Sequence, residues 1–198
     1  MQVFHTVMRL CEHLQFLRTC LVDELKRLIS NLSLYDRLPL SFLESLDEDD
    51  KIVCYRAALI CYSVTNSIQV PCEMQLRVVL AIKNGRDCLV SAGTGSGKTL
   101  PIALATLLDD PDKRLVTLTL SPLKRFQVTQ ESDFNTRYGV PTAVINEDTP
   151  REDAWWTVSR ASLQLSSVSL KFIGKCMGQQ KVLSGACSTP DCHRRTAF

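Results

Sequence analysis

The octapeptide Ala92-Gly93-Thr94-Gly95-Ser96-Gly97-Lys98-Thr99 constrains this chain more than any other stretch. It reads small residue, four spacers, then Gly-Lys-Thr, and it sits between two different signals. Before it, Asp87-Cys88-Leu89-Val90-Ser91 is a short apolar run that predicts a buried strand. After it, Leu100 to Leu108 is rich in Leu and Ala and predicts a helix. A glycine-rich turn in that position lets successive backbone N–H groups curl round an anion with no Cβ in the way, and the helix N-terminus adds the positive end of its dipole. Such a turn suits phosphate. Lys98 is expected to reach the β- and γ-phosphates of a nucleoside triphosphate, and the Thr99 hydroxyl to hold Mg²⁺. Lys98 and Thr99 are therefore the candidate catalytic residues, and Thr99 the candidate metal ligand.

The rest of the composition narrows the class. The chain has 198 residues, 45% hydrophobic and 22% charged, enough for one core or one core with an appendage. A net charge of +2 is too small to argue for nucleic acid by itself. The positive charge collects after Ser159, where Arg160, Lys171, Lys175, Lys181, Arg194 and Arg195 face a single acid, Asp191. Nine cysteines, an odd count with several on apolar faces, point to reduced thiols rather than a disulfide framework. No run of about 18 apolar residues is present, and the N-terminus carries Glu12, Asp23 and Glu24 with no cleavage-site pattern. Neither a membrane partner nor a signal peptide is expected. The expected compartment is the nucleus, with the cytoplasm as alternative.

Periodicity divides the chain at about residue 70. Val3, Met8, Leu10, Leu14, Phe16, Leu17, Leu21, Leu25 and Leu28 recur as on one amphipathic helix from about residue 3 to 30. Asp47-Glu48-Asp49-Asp50 reads as the cap of a helix over 51–64, with a metal-binding cluster as the lesser alternative. From Pro71 the pattern alternates. A helix is expected over 72–84, closed by Gly85, then the strand, loop and helix described above. A turn at 109–112 leads to a strand over 114–120, a helix over 122–138 and a strand over 142–145. Such βαβαβ order implies an α/β fold: a parallel sheet with crossover helices, as in a partial RecA-like phosphate-loop domain, preceded by a helical N-terminal segment. The expected divisions are 1–70 helical, 71–158 nucleotide-binding and 159–198 a basic, Ser-rich tail with no clear period, disordered or out of frame.

Three stretches taken together point to a family: Gln75, which lies 23 residues before Lys98; the loop Ala92 to Thr99; and Ser121-Pro122-Leu123-Lys124-Arg125-Phe126-Gln127-Val128-Thr129-Gln130. The set resembles the superfamily 2 helicases, and within them the RecQ-like ATP-dependent DNA helicases of fungal type. Asn84-Gly85-Arg86-Asp87-Cys88, Tyr138 to Pro150 and Trp155-Trp156 are similar as well, so the likeness runs over about 70–158. It implies that Gln75 recognises adenine, for which its amide has both donor and acceptor. ATP binding is then expected at Gln75, Ala92, Gly93, Thr94, Gly95, Ser96, Gly97, Lys98 and Thr99. The Ser-Pro-Leu segment starts a helix that contacts the backbone of single-stranded DNA. Nucleic-acid contacts fall on Ser121, Pro122, Lys124, Arg125 and Thr129, through hydroxyls and charge. A strand-to-helix turn with a solvated basic face accounts for the same residues.

The likeness implies ATP and Mg²⁺ as cofactors, and as partner single-stranded DNA or a duplex with a single-stranded end. It also has gaps. The positions just ahead of Gln75 are Pro71 and Cys72, where the family usually has an aromatic-Arg pair. No Asp-Glu-x-His or Asp-Glu-x-Asp motif follows the Ser-Pro-Leu segment, and a second RecA-like domain with its arginine finger is expected to be missing. Ile145-Asn146-Glu147-Asp148 is the nearest imitation of the acidic motif, with a strand-end loop as the plainer reading. Cys187, Cys192 and His193 lack the second paired set that a structural zinc needs. The chain is expected to be a truncated helicase ATPase module, with a non-catalytic nucleotide- or DNA-binding fragment as the alternative.

Overall fold

A helix that is apolar on every face has to be covered on every side, and Leu100–Leu108 contains no charged side chain. The computed structural model describes residues 2–113, 115–121, 123–145 and 165–169, with the side chains of 2–9 and 165–169 excepted. It divides into two units, Met1–Arg86 with Val90–Asp110, and Asp87–Leu89 with Pro111–Phe198. The first unit is helical: α1 Gln2–Thr19, α2 Val22–Asn31, α3 Leu40–Glu44, α4 Glu48–Val64, α5 Glu73–Lys83 and α6 Leu100–Leu108. Helix α6 is buried from Leu100 through Leu107, packed against α4 and α5. Leu104 and Leu107, at 0% and 2% exposure, each stabilise the unit by roughly 1.5–3 kcal/mol.

Helix α4 is the hub, touching α1, α2, α5 and α6 through buried Cys54, Ala57, Ala58, Leu59, Ile60, Cys61 and Val64. Its small residues let neighbouring helices approach. The acidic run caps it as expected: the Asp47 carboxylate accepts from the Asp50 N–H at 2.8 Å, and Glu48, Asp49 and Asp50 occupy the first turn, where the dipole favours anions. Helix α5 ends in two crossed bonds, Gly85 N–H to the Ile82 carbonyl at 3.1 Å and Arg86 N–H to the Ala81 carbonyl at 2.8 Å. That turn requires the left-handed φ of +65° at Gly85.

The single long N-terminal helix is in fact two. Leu21 is extended (φ −68°, ψ 156°) and 77% exposed, while Leu14, Leu17, Cys20, Leu25 and Ile29 are buried. The apolar face changes phase at residue 21, and Asp23 and Glu24 supply the acidic first turn that a new helix start favours. These N-terminal helices fall in one unit with α5, the glycine loop and α6.

The second unit holds a three-stranded parallel sheet in the order β1-β3-β2, with β1 Thr117–Ser121, β2 Thr142–Ile145 and β3 Leu165–Ser169. Thr119 pairs with Ser167, and Val144 pairs with Ser167 from the other side. Between β1 and β2 the chain crosses over through α7, Lys124–Ser132, which continues as a π turn over Asp133–Arg137. The α/β crossover is as the sequence implies, but the helix stops short of Tyr138. Gly139 at φ +64° turns the chain so that the Val140 N–H reaches the Phe134 carbonyl at 2.8 Å. Buried Phe134 stacks at a tilt on Tyr138, with ring centres 5.8 Å apart.

Two expectations about strands are corrected. Asp87–Ser91 forms no strand, and Leu89 is 96% exposed. A buried parallel strand needs a ladder partner, and the described ladders join only β1, β3 and β2. Conversely, the middle strand β3 arises in Leu-Ser-Ser-Val-Ser, beyond Ser159, where no period is visible. Its two flanking ladders come from the backbone, not from an apolar run.

Candidate nucleotide and nucleic-acid sites

The glycine loop enters α6 through a sequence of tight turns. The Ser96 N–H donates to the Gly93 carbonyl at 3.3 Å, the Leu100 N–H to the Gly97 carbonyl at 3.2 Å and the Ala103 N–H to the Thr99 carbonyl at 3.3 Å. Gly95 and Gly97 sit at φ +81° and +73°, the left-handed region that glycine alone enters at no steric cost. A Cβ added at Gly93 or Gly95 would meet nothing within 4 Å, so this stretch of backbone faces open space. The Lys98 ammonium folds across the loop and donates to the carbonyls of Ala92 at 2.7 Å and Gly93 at 2.8 Å. Thr99 is the N-cap of α6, partly buried, with helical φ and ψ.

Gln75 ties the preceding helix to this loop. Its Oε1 accepts from the Cys72 N–H at 2.9 Å, and its Nε2 donates to the Gly97 carbonyl at 3.2 Å, with the Ser96 carbonyl further off at 3.5 Å. The Cys72 side chain in turn faces the Gln75 N–H, closing a capping box at the start of α5. The Gly97 carbonyl accepts from both the Leu100 N–H and Gln75 Nε2, while Pro101 in the first turn of α6 has no N–H to offer it. A Cβ at Gly97 would lie 2.5 Å from Gln75 Nε2. Gln75 itself is buried at 8% exposure, its Oε1 and Nε2 both engaged within the unit.

The far end of α6 is held too. Arg18 Nε donates to the Leu107 carbonyl at 2.7 Å, and burial lowers its pKa against the raising effect of nearby charges that include Asp110 and Asp109. Lys83 pairs with Asp109 at 2.5 Å, both about four-fifths buried. These anchors were not visible in the sequence, because nothing local links residues 18, 83 and 109. The Cys72–Gln75 box was missed as well, although it is a Cys variant of the Ser/Thr-x-x-Glu/Gln pattern and that spacing could have signalled it. Cys88, ahead of the loop, has its thiol pKa pushed up by burial and then by Asp87.

In the second unit the candidate nucleic-acid residues divide between the end of β1 and the exposed side of α7. Ser121 is buried, its Oγ accepting from the Leu123 N–H at 3.5 Å, and its carbonyl accepts from Gln127 Nε2 at 2.8 Å. Lys124, Arg125 and Thr129 are exposed. The Thr129 hydroxyl donates to the Arg125 carbonyl at 3.0 Å, leaving its oxygen as an acceptor rather than a donor to phosphate. Gln127 and Gln130 face inward at 0% and 3% exposure. Pro122, the acidic stretch after Ile145, Trp155-Trp156 and the Cys187–His193 group lie outside the described residues. Among the described residues no cluster of three His, Cys, Asp or Glu side chains could hold a metal, and no helix is long and apolar enough to cross a membrane.

The family model of the DEAD/DEAH box helicases matches residues 72–168. The match begins at the N-cap of α5, takes in Gln75, the glycine loop and the α7 segment, and ends inside β3. The chain is also similar to a probable ATP-dependent RNA helicase, DDX52 of Mus musculus, at 30% identity over 89 residues. That stretch is 43% of this chain and 14% of the mouse protein, so the chain spans a small part of its relative's length. The superfamily 2 helicase likeness is thereby supported over the matched stretch.

Proposed function

We propose that this chain binds ATP with Mg²⁺, and binds single-stranded nucleic acid, as the leading part of a superfamily 2 helicase motor domain. The observation that carries the proposal is the hydrogen bond from Gln75 to the Gly97 carbonyl, which joins an adenine-competent amide to a phosphate-competent loop within one unit. The open glycine backbone fits a triphosphate, with Lys98 released from the Ala92 and Gly93 carbonyls to face the β- and γ-phosphates. The Thr99 hydroxyl fits as one oxygen ligand of Mg²⁺, which characteristically keeps waters and phosphate oxygens as its others. When bound, the ion neutralises charge between the phosphates.

For the nucleic acid, the Ser121-Pro122-Leu123 lead-in and the fungal-type stretches quoted above favour DNA and a RecQ-like parent. The similarity to an RNA helicase favours RNA as the second reading. In either case the contacts foreseen are to phosphates, from Lys124 and Arg125, and therefore salt-sensitive and indifferent to sequence. Turnover is a separate matter. Hydrolysis needs an oriented water and charge on the transition state, and an arginine finger alone is worth about 10³–10⁵ in rate. The chain has no Asp-Glu pair after Ser121 to activate water, so it is proposed to bind ATP without helicase-like turnover. Nucleotide titration and phosphate release, each compared with Lys98→Ala, test this. Equal ATP affinity in the two proteins would remove the loop assignment. DNA- or RNA-stimulated turnover of about one per second, lost in the variant, would remove the binding-only reading.

A further inference from the structure

The outer face of α7 carries an aromatic ring that phosphate contacts do not use. Phe126 is 48% exposed, adjacent in sequence to exposed Arg125 and one helical turn before exposed Thr129. Residues three apart on a helix are surface neighbours, so ring, guanidinium and threonine share one side of the helix. No carboxylate stands in the first turn of α7. The first acid along it, Glu131, accepts from the Val144 N–H at 3.1 Å. The inner face is fixed by Gln127, whose amide reaches the Ser121 carbonyl. The helix therefore offers its ring and the Arg125 guanidinium on one side of a supported surface.

We infer that Phe126 is a stacking platform for one nucleobase of a single strand whose phosphate lies on Arg125. An exposed aromatic interleaved with cations is the combination that binds single strands with little regard to sequence, since every base has a π-face. Charge complementarity selects the occupant: a polyanion with flat apolar groups at regular intervals satisfies both halves of this surface, whereas an apolar protein partner brings no charge to meet the Arg125 guanidinium. The inference rests on the nucleic-acid reading above and adds a contact to the bases.

The test uses the full chain, with fluorescence anisotropy against two labelled strands of about twelve nucleotides, within the range of single-strand site sizes. One is oligo-dT or oligo-U, whichever the wild type binds more tightly, and the other is its abasic counterpart of equal charge. Phe126→Leu, which keeps apolar bulk, is expected to weaken the base-bearing strand about tenfold and leave the abasic strand and the salt dependence unchanged. Phe126→Trp is expected to restore or exceed wild-type binding. Arg125→Ala is expected to weaken both strands alike and reduce the salt slope by about 0.7. If Phe126→Leu weakens neither strand, or both equally, while Arg125→Ala still weakens both, the stacking inference is overturned and the nucleic-acid reading stands. If the wild type binds neither strand, the nucleic-acid reading itself is overturned.

Discussion

Gly97→Ala, made with and without Gln75→Ala, measures how tightly the loop and α5 are joined. The substitution meets two obstacles at one site. First, φ at Gly97 is +73°, and a residue with a Cβ pays about 1–2 kcal/mol in that region. Second, the new Cβ falls 2.5 Å from Gln75 Nε2, far inside contact distance. Because that atom ends a flexible side chain, the clash is relieved by the amide swinging away, which loses the bond to the Gly97 carbonyl. A hydrogen bond of this kind is worth about 1 kcal/mol net. Gly97→Ala in the wild type should therefore cost about 2–3 kcal/mol, and in the Gln75→Ala background only the conformational part, about 1–2 kcal/mol. The two substitutions should couple by about 1 kcal/mol. Urea unfolding of the four proteins gives the cycle, and ATP titration of the same four should show Gly97→Ala as the more harmful loop change. Additivity to within about 0.3 kcal/mol would refute the account, since it would mean that the amide does not touch the loop.

Leu89→Asp should change stability by no more than about 0.5 kcal/mol, because Leu89 is 96% exposed; a loss of several kcal/mol in urea unfolding would restore the buried strand that the sequence implies. Arg18→Ala removes the donor to the Leu107 carbonyl and should cost about 1–2 kcal/mol, read as a fall of about 2–8 °C in Tm; no change would mean that α1 does not hold α6. The Cys54 thiol is pushed up to about 12 by burial. An acid with a raised folded pKa contributes stability that is whole below its unfolded value near 9 and falls as pH climbs through the window toward 12. The chain should thus lose stability above about pH 9, by at most about 1.4 kcal/mol per pH unit for this thiol, and Cys54→Ala should flatten that decline; parallel pH profiles for the two proteins would contradict the burial of Cys54.

Local chemistry was legible where it is self-contained. The Asp47 cap, the Gly85 terminus, the span of α6 and the strand at Thr142–Ile145 all follow from short-range preferences, and each lies where the sequence puts it. What failed depended on neighbours. The N-terminal helix breaks at Leu21 because two packing faces are out of phase, although the spacing of leucines alone suits one helix. Asp87–Ser91 has a strand's composition and no ladder, while β3 has a ladder on each side and little of a strand's composition. The loop residues were readable from their spacing, and so was Gln75 as their companion. Its hold on the Gly97 carbonyl was not, since that contact depends on how α5 packs against α6.

The side of the sheet beyond β2 is sealed. On that edge the Thr142 N–H and carbonyl are both engaged by the Asn135 amide at 3.0 Å, and the Val144 N–H is engaged by Glu131. Asn135 there imitates a residue of a neighbouring strand, donating and accepting in the same places. An incoming chain would have to break three hydrogen bonds before making its first, so accidental edge-to-edge association is blocked on this flank. Growth of the sheet by any further strand, from this polypeptide or another, is thereby directed to the opposite flank, beside β1.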